Sequence, residues 1–141
     1  MDADRRDLAA MLHPLVESLI AMELPILAAH GISMWAYSVL SALDDSPIRT
    51  QAALAAAIRA DKTRIIGTLD DLQAGGYITR EPDPDDRRAR LLSITPDGRA
   101  IRRSVKAEIQ ASEDRLLSDL SPADRRGFLR AAQQLSTLAD S

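Results

Sequence analysis

The sequence predicts a mainly α fold carrying a single two-stranded β hairpin, and three observations predict it. Apolar residues recur with the 3.6-residue period of amphipathic helices over most of the chain. Gly75 and Gly76 interrupt that pattern and precede the β-prone run Tyr77-Ile78-Thr79. After a second short apolar run the helical period resumes behind Thr95-Pro96 and again behind Ser121-Pro122, each a capping hydroxyl followed by proline at the first helical position.

The first helix is read from Leu8, Met11, Leu12, Leu15, Val16, Leu19 and Ile20, which share one face. Pro14 removes a backbone donor inside it and predicts a kink or a late start, and Pro25 predicts a second bend. Ser33 opens a helix holding Met34, Trp35, Val39, Leu40 and Leu43, stopped by Asp44-Asp45-Ser46-Pro47. Gln51 to Ile58 is a short Ala-rich helix, joined by Arg59-Ala60 to the next helix cap, Asp61. In that next helix Ile65, Ile66, Leu69 and Leu72 form the apolar side, whereas Thr63, Arg64 and Gly67 lie opposite and Lys62 stands at the N-terminal end. A glycine in mid-helix costs about 1 kcal/mol relative to alanine. Gly67 is therefore read either as allowing close approach to another surface or as a packing contact.

Gly75 and Gly76 end that helix through the left-handed conformation available to glycine. They follow a helix and precede a strand, the reverse of a phosphate-binding loop. The second strand is predicted from Arg90 to Thr95, with Leu91, Leu92 and Ile94 covering a core. Between the strands, Pro82 and Pro84 are expected to block ladder pairing, and Asp83, Asp85 and Asp86 to favour turns, leaving Arg87 and Arg88 at a charged tip. Asp86 is expected to pair with a neighbouring arginine and fix its direction. A charge run of this kind is ordinarily a solvated turn. Directly after a groove-sized helix, however, it reads as a wing whose guanidiniums reach phosphates or a narrow minor groove. Two short helices in tight succession followed by this hairpin make a winged helix-turn-helix for duplex DNA, with Lys62 to Thr68 in the major groove.

The two later helices carry Ile101, Val105, Ile109, Leu116, Leu117 and Leu120, then Phe128, Leu129, Leu135 and Leu138. These exceed what the hairpin and its helices can cover. The expected arrangement is a single domain, 1–141. Residues 33–95 form the DNA-binding region, and 1–32 with 96–141 form a helical dimerisation region that places two recognition helices about 34 Å apart.

The stretch TQAALAAAIRADKTRIIGTLDDLQAGGYITREPDPDDRRARLLSITPDGRA resembles the DNA-binding core of the MarR family of bacterial transcription regulators. The match includes Asp86 and Arg88, then the hydrophobic strand ending in Ile94-Thr95 and Pro96-Asp97-Gly98. It extends more weakly to HGISMWAYSVLSAL and the helical C-terminal third. The resemblance implies a homodimer that binds a pseudo-palindromic operator and is released by a small ligand or oxidant. It places base readers on Lys62, Thr63, Arg64 and Thr68, and the wing contact on Arg88, with Asp86 as positioner and Arg90 as a backbone contact, while Arg87 is a DNA-binding candidate from its place at the charged tip. Many members have Thr-Arg where this chain has Ile66-Gly67. Arg64 then takes over base reading, or operator choice leans on groove shape.

The 141 residues suffice to bury about two thirds of the unfolded surface. Net charge is -3, yet residues 61–103 hold nine basic side chains against eight acidic ones, with the basic ones at the helix start and wing tip. Sixteen of the eighteen cations are arginine, suited to bidentate contacts. The absence of cysteine removes disulfides, zinc fingers and a thiol switch. No signal sequence is read at MDADRRDLAAM, and no apolar run approaches the roughly 18 residues of a membrane span, so a cytoplasmic protein without membrane contact is expected. An effector site is implied between the dimer helices and the reading head. His13, Met22, Trp35 and Tyr37 are candidates because they join apolar bulk to a polar tip, though each is equally readable as core or interface. His13 and His30 lack metal-site spacing, no nucleophile stands near a base, and neither cofactor nor catalysis is expected. The rival reading is a winged helix that binds protein rather than DNA.

Overall fold

A computed structural model describes residues 4–45 and 50–139, apart from the Lys62 side chain. The elements are α1 (Leu8–Ala29), α2 (Met34–Asp45), α3 (Gln51–Ile58), α4 (Lys62–Ala74), β1 (Ile78–Asp83), β2 (Asp86–Ile94), α5 (Pro96–Leu117) and α6 (Pro122–Ala139). Side-chain caps set several of the starts. Ser33 Oγ accepts from the Ala36 amide, Thr50 Oγ1 from Ala53, Asp61 Oδ1 from Arg64, Thr95 Oγ1 from Gly98 and Ser121 Oγ from Asp124, all at 2.7–3.1 Å. Each satisfies an amide that the first helical turn leaves without a partner. Ser46 and Pro47 of the predicted stop after α2 lie outside the described residues, and α2 runs through Asp45.

One core joins α2, α3, α4 and the hairpin through Val39, Leu40, Leu43, Leu54, Ile65, Leu69, Leu72, Ile78 and Leu92. A smaller one packs Leu27 of α1 against Val105 and Ile109 of α5. Arg102 of α5 donates to Asp44 of α2 at 2.7 Å and to Ser41 at 3.3 Å, and this charged latch holds α5 along α2. The Glu108 carboxylate of α5 contacts the His30 ring that closes α1.

Three expectations need correction. First, α1 starts at Leu8 and contains both Pro14 and Pro25, so Pro14 does not delay it. Pro14 leaves the carbonyl of Ala10 without its helical donor, and the Arg6 guanidinium donates to that oxygen at 3.2 Å, supplying the missing bond. Second, α1 is by length and composition apolar enough to cross a bilayer. Counting uninterrupted apolar runs missed this because Glu17 and Glu23 divide the segment. Third, the strands run on through the supposed loop. Ile78 to Pro82 pair with Ile94 to Arg90 in antiparallel register, Asp83 pairs with Asp86, and only Pro84-Asp85 turn. Pro82 is accommodated because both members of a two-stranded sheet have an open edge where a missing N–H costs no ladder bond.

Candidate DNA-binding surface

The turn from α4 into the hairpin sets the angle between helix and wing. Gly75 keeps right-handed helical geometry and Gly76, at φ +80°, takes the left-handed step. Arg80 of β1 then reaches back, donating to Gln73 and Asp70 of α4 at 2.5 Å and to Gln51 of α3 at 3.4 Å. Recognition helix, preceding helix and wing are cross-linked by that one guanidinium.

On α4 the buried residues are Ile65, Leu69 and Leu72. Ile66, expected on the apolar side, is 42% exposed, because it lies about 100° around the helix from Ile65. Thr63, Arg64 and Gly67 are exposed as predicted, and Thr68 is half-buried towards α2. A Cβ placed on Gly67 would meet no atom within 4 Å. No packing contact among the described residues therefore requires a glycine at this position. Lys62 begins the helix, but its side chain is outside the described set.

In the hairpin, the register jump between Pro82 and Asp83 leaves Arg87, Arg88 and Ala89 out of the ladder as a bulge on β2. Asp86 Oδ1 accepts the backbone amide of Arg88 at 3.0 Å. Asp86 thus fixes the direction of Arg88 through its main chain, where a carboxylate–guanidinium pair was expected. Both arginines are exposed, as is Arg90.

Pairing sorts the cations of 61–103. Arg80 is held by Asp70, and Arg99 and Arg102 by Asp44. Arg64, Arg87, Arg88, Arg90 and Arg103 form no ion pair among the described residues. Of these, Arg103 lies on α5, while Arg64 stands at the start of α4 and Arg87, Arg88 and Arg90 along the wing, an arrangement fitted to polyanion contact.

Comparisons with known proteins agree with this geometry. A family model described as "MarR family" matches residues 30–89. An HTH-type transcriptional regulator of Mycobacterium leprae is 33% identical over 109 residues, covering 74% of this chain and 72% of the relative. The chain belongs to the MarR family. Another relative, a putative transcriptional regulatory protein for the hcr operon of Thauera aromatica, is 32% identical over 111 residues, or 78% of this chain. The matched part spans 66% of that relative's own length. Among solved structures, the repressor CouR bound to a 23-mer DNA duplex is 28% identical with a TM-score of 0.79, covering 94% of this chain and 92% of CouR. CouR from Rhodococcus jostii bound to p-coumaroyl-CoA aligns at 25% identity and a TM-score of 0.74, covering 92% and 91%. These relatives are described as transcription regulators, and the chain is likewise a winged-helix transcription regulator of that family.

The effector candidates are not brought together. His13 is exposed and pairs with Glu17 on its own helix at 2.7 Å. Met22 is half-buried on α1, and Trp35 lies under the Arg64 guanidinium. Tyr37 lines a groove of about 380 Å³ with Ser41, Ala57, Ile58 and Arg102, and the other three candidates do not. Burial raises the Tyr37 pKa, opposed by Arg102 and by its hydrogen bond with Ser41. Ser41 and Arg102 were not singled out from sequence, since neither stands in a recognisable motif.

Proposed function

We propose that this chain is a repressor that binds a pseudo-palindromic operator as a homodimer and releases it when a small effector binds. The observation that carries the reading is the placement of charge on the head: of the arginines of α4 and the hairpin, Arg80 is held by Asp70, while Arg64, Arg87, Arg88 and Arg90 are exposed and form no ion pair among the described residues. Thr63 and Thr68 contribute to base reading, Lys62 and Arg64 flank the helix start, and Asp86 orients Arg88 towards the backbone or minor groove.

Dimer formation is supported by apolar surface that one chain leaves open. Leu8, Met11, Leu12, Val16, Ile20 and Leu24 of α1, with Phe128, Leu129, Leu135 and Leu138 of α6, are all at least 38% exposed. Between these helices lies a cavity of about 400 Å³ lined by Leu15, Leu19, Leu116, Leu117, Leu120 and Phe128. An exposed apolar surface of this extent marks an interface. On this reading residues 1–32 and 96–141 make the dimer and 33–95 read DNA. The groove beside Tyr37 is the effector site best supported. It lies where α2 and α5 are latched, so a ligand there bears on both parts. CouR, which holds p-coumaroyl-CoA in its solved structure, offers a relative with a bound small molecule.

Sedimentation at micromolar concentration should give a dimer. Footprinting on the DNA upstream of its own coding sequence at two salt concentrations should give a protected site with half-sites about one helical turn apart. Its salt dependence should correspond to a few phosphates per subunit. A monomer, or duplex binding that ignores salt, refutes the proposal and favours a protein-binding winged helix.

A further inference from the structure

We infer that Trp35 is a positioning residue for DNA reading, holding the Arg64 guanidinium at the edge of α4 by stacking beneath it. The inference rests on the proposal that α4 reads the major groove. The Arg64 Cζ lies 5.8 Å from the centroid of the Trp35 ring, within cation–π range. No carboxylate among the described residues pairs with Arg64, so the indole is the partner that directs it. The indole belongs to α2, where Trp35 is half-buried. At the other end, the Arg64 backbone is pinned by the Asp61 cap at 2.7 Å.

Stacking occupies a face of the guanidinium and leaves its in-plane N–H donors available. A stacked arginine can therefore still donate the paired hydrogen bonds that recognise guanine O6 and N7. It also enters the complex with part of its rotamer freedom already removed, which favours binding. Position makes such guidance useful. The outermost positions of α4 are Thr63 and Gly67, and Arg64 sits on the flank that faces α2, so its long side chain needs direction to reach a base edge.

The test uses duplexes selected by the purified full-length protein from a randomised library. Trp35 is the chain's one tryptophan, so its emission reports on the contact directly. Titrating wild type with the selected duplex should change that emission, and Arg64→Ala should reduce the change. Trp35→Leu, which keeps apolar bulk without a π face, should weaken the selected duplex about three- to tenfold. It should also flatten base preference at the same position as Arg64→Ala. Trp35→Phe should stay within about twofold of wild type. In the Arg64→Ala background, Trp35→Leu should have no further effect. Equal losses from Trp35→Leu with and without Arg64, or from the Phe and Leu variants alike, would overturn the positioning role and leave DNA reading intact. Failure of wild type to enrich any sequence would remove the DNA reading itself, and the positioning role with it.

Discussion

Gly98→Ala should destabilise the protein even though it replaces glycine by the best helix former. Gly98 is buried in the first turn of α5, where a Cβ would overlap the Tyr77 carbonyl oxygen, lie 2.8 Å from Ile94 Cγ1 and 3.1 Å from the Tyr77 carbonyl carbon. Carbon contacts favour about 3.5 to 4.0 Å, so the helix start must back away by roughly 1 Å. That movement strains the hydrogen bonds that seat it, Thr95 N to Tyr77 O at 3.0 Å and Thr95 Oγ1 to Gly76 O at 2.7 Å. Overpacking costs about 1–3 kcal/mol and each weakened bond about 1 kcal/mol, against a helix-propensity gain of about 1 kcal/mol. The net is a loss of about 2–4 kcal/mol, or roughly 4–16 °C in Tm for a chain of this size. Thermal unfolding followed by circular dichroism, with protein concentration held fixed, measures it. A variant as stable as wild type, or more stable, would refute the reasoning that the α5 start is pressed against the turn after α4.

Gly67→Ala should do the opposite, gaining up to about 1 kcal/mol of stability because its Cβ meets open space, while weakening DNA binding in fluorescence anisotropy by holding α4 off the groove. Undiminished affinity would show that close approach is not what the glycine serves. Arg88→Ala should weaken binding across all sequences and reduce the slope of log affinity against log salt by about 0.9 per subunit, about 1.8 for a bound dimer, and an unchanged slope would remove Arg88 from the phosphate contacts. Burial, then the charge of Glu113, raises the Glu23 pKa above its ordinary 4.5, and burial, then Asp114, does the same for Glu113. A carboxyl raised on folding favours the folded state while protonated, and that contribution is lost as pH rises through the folded pKa. Glu23→Gln should therefore melt above wild type near neutral pH, by less than about 1 kcal/mol because the group is partly solvated, and the difference should close below the ordinary carboxylate range. A difference that widens on acidification would reverse the assignment.

The parts of the fold legible in sequence were those fixed by local chemistry. Ser33, Asp61, Thr95 and Ser121 announce helix starts because a side-chain oxygen within three residues of a free amide needs no tertiary partner. The 13-residue α4 and its buried Ile65, Leu69 and Leu72 follow from period alone. What failed depended on neighbours. Pro82 reads as a ladder breaker until the sheet is known to have only two strands, and Ile66 reads as core until the packing direction of α4 is fixed. The exposed residues of α4 and the wing were read as a set, and Asp86 on the Arg88 amide is a bond that i, i+2 spacing allows, while Trp35 under Arg64 joins groups whose meeting no spacing rule foretells. The effector candidates were read least well, because aromatic bulk with a polar tip describes core residues as well as pocket linings.

Arg80 imposes a constraint on how such a protein can be switched. With one guanidinium bridging Asp70, Gln73 and Gln51, the wing cannot swing without dragging both helices of the reading head. An effector thus has little scope to bend α4 or fold back the wing in isolation. On the proposed reading as an effector-released dimer, the quantity that a signal must alter is a distance between two heads rather than the shape of either.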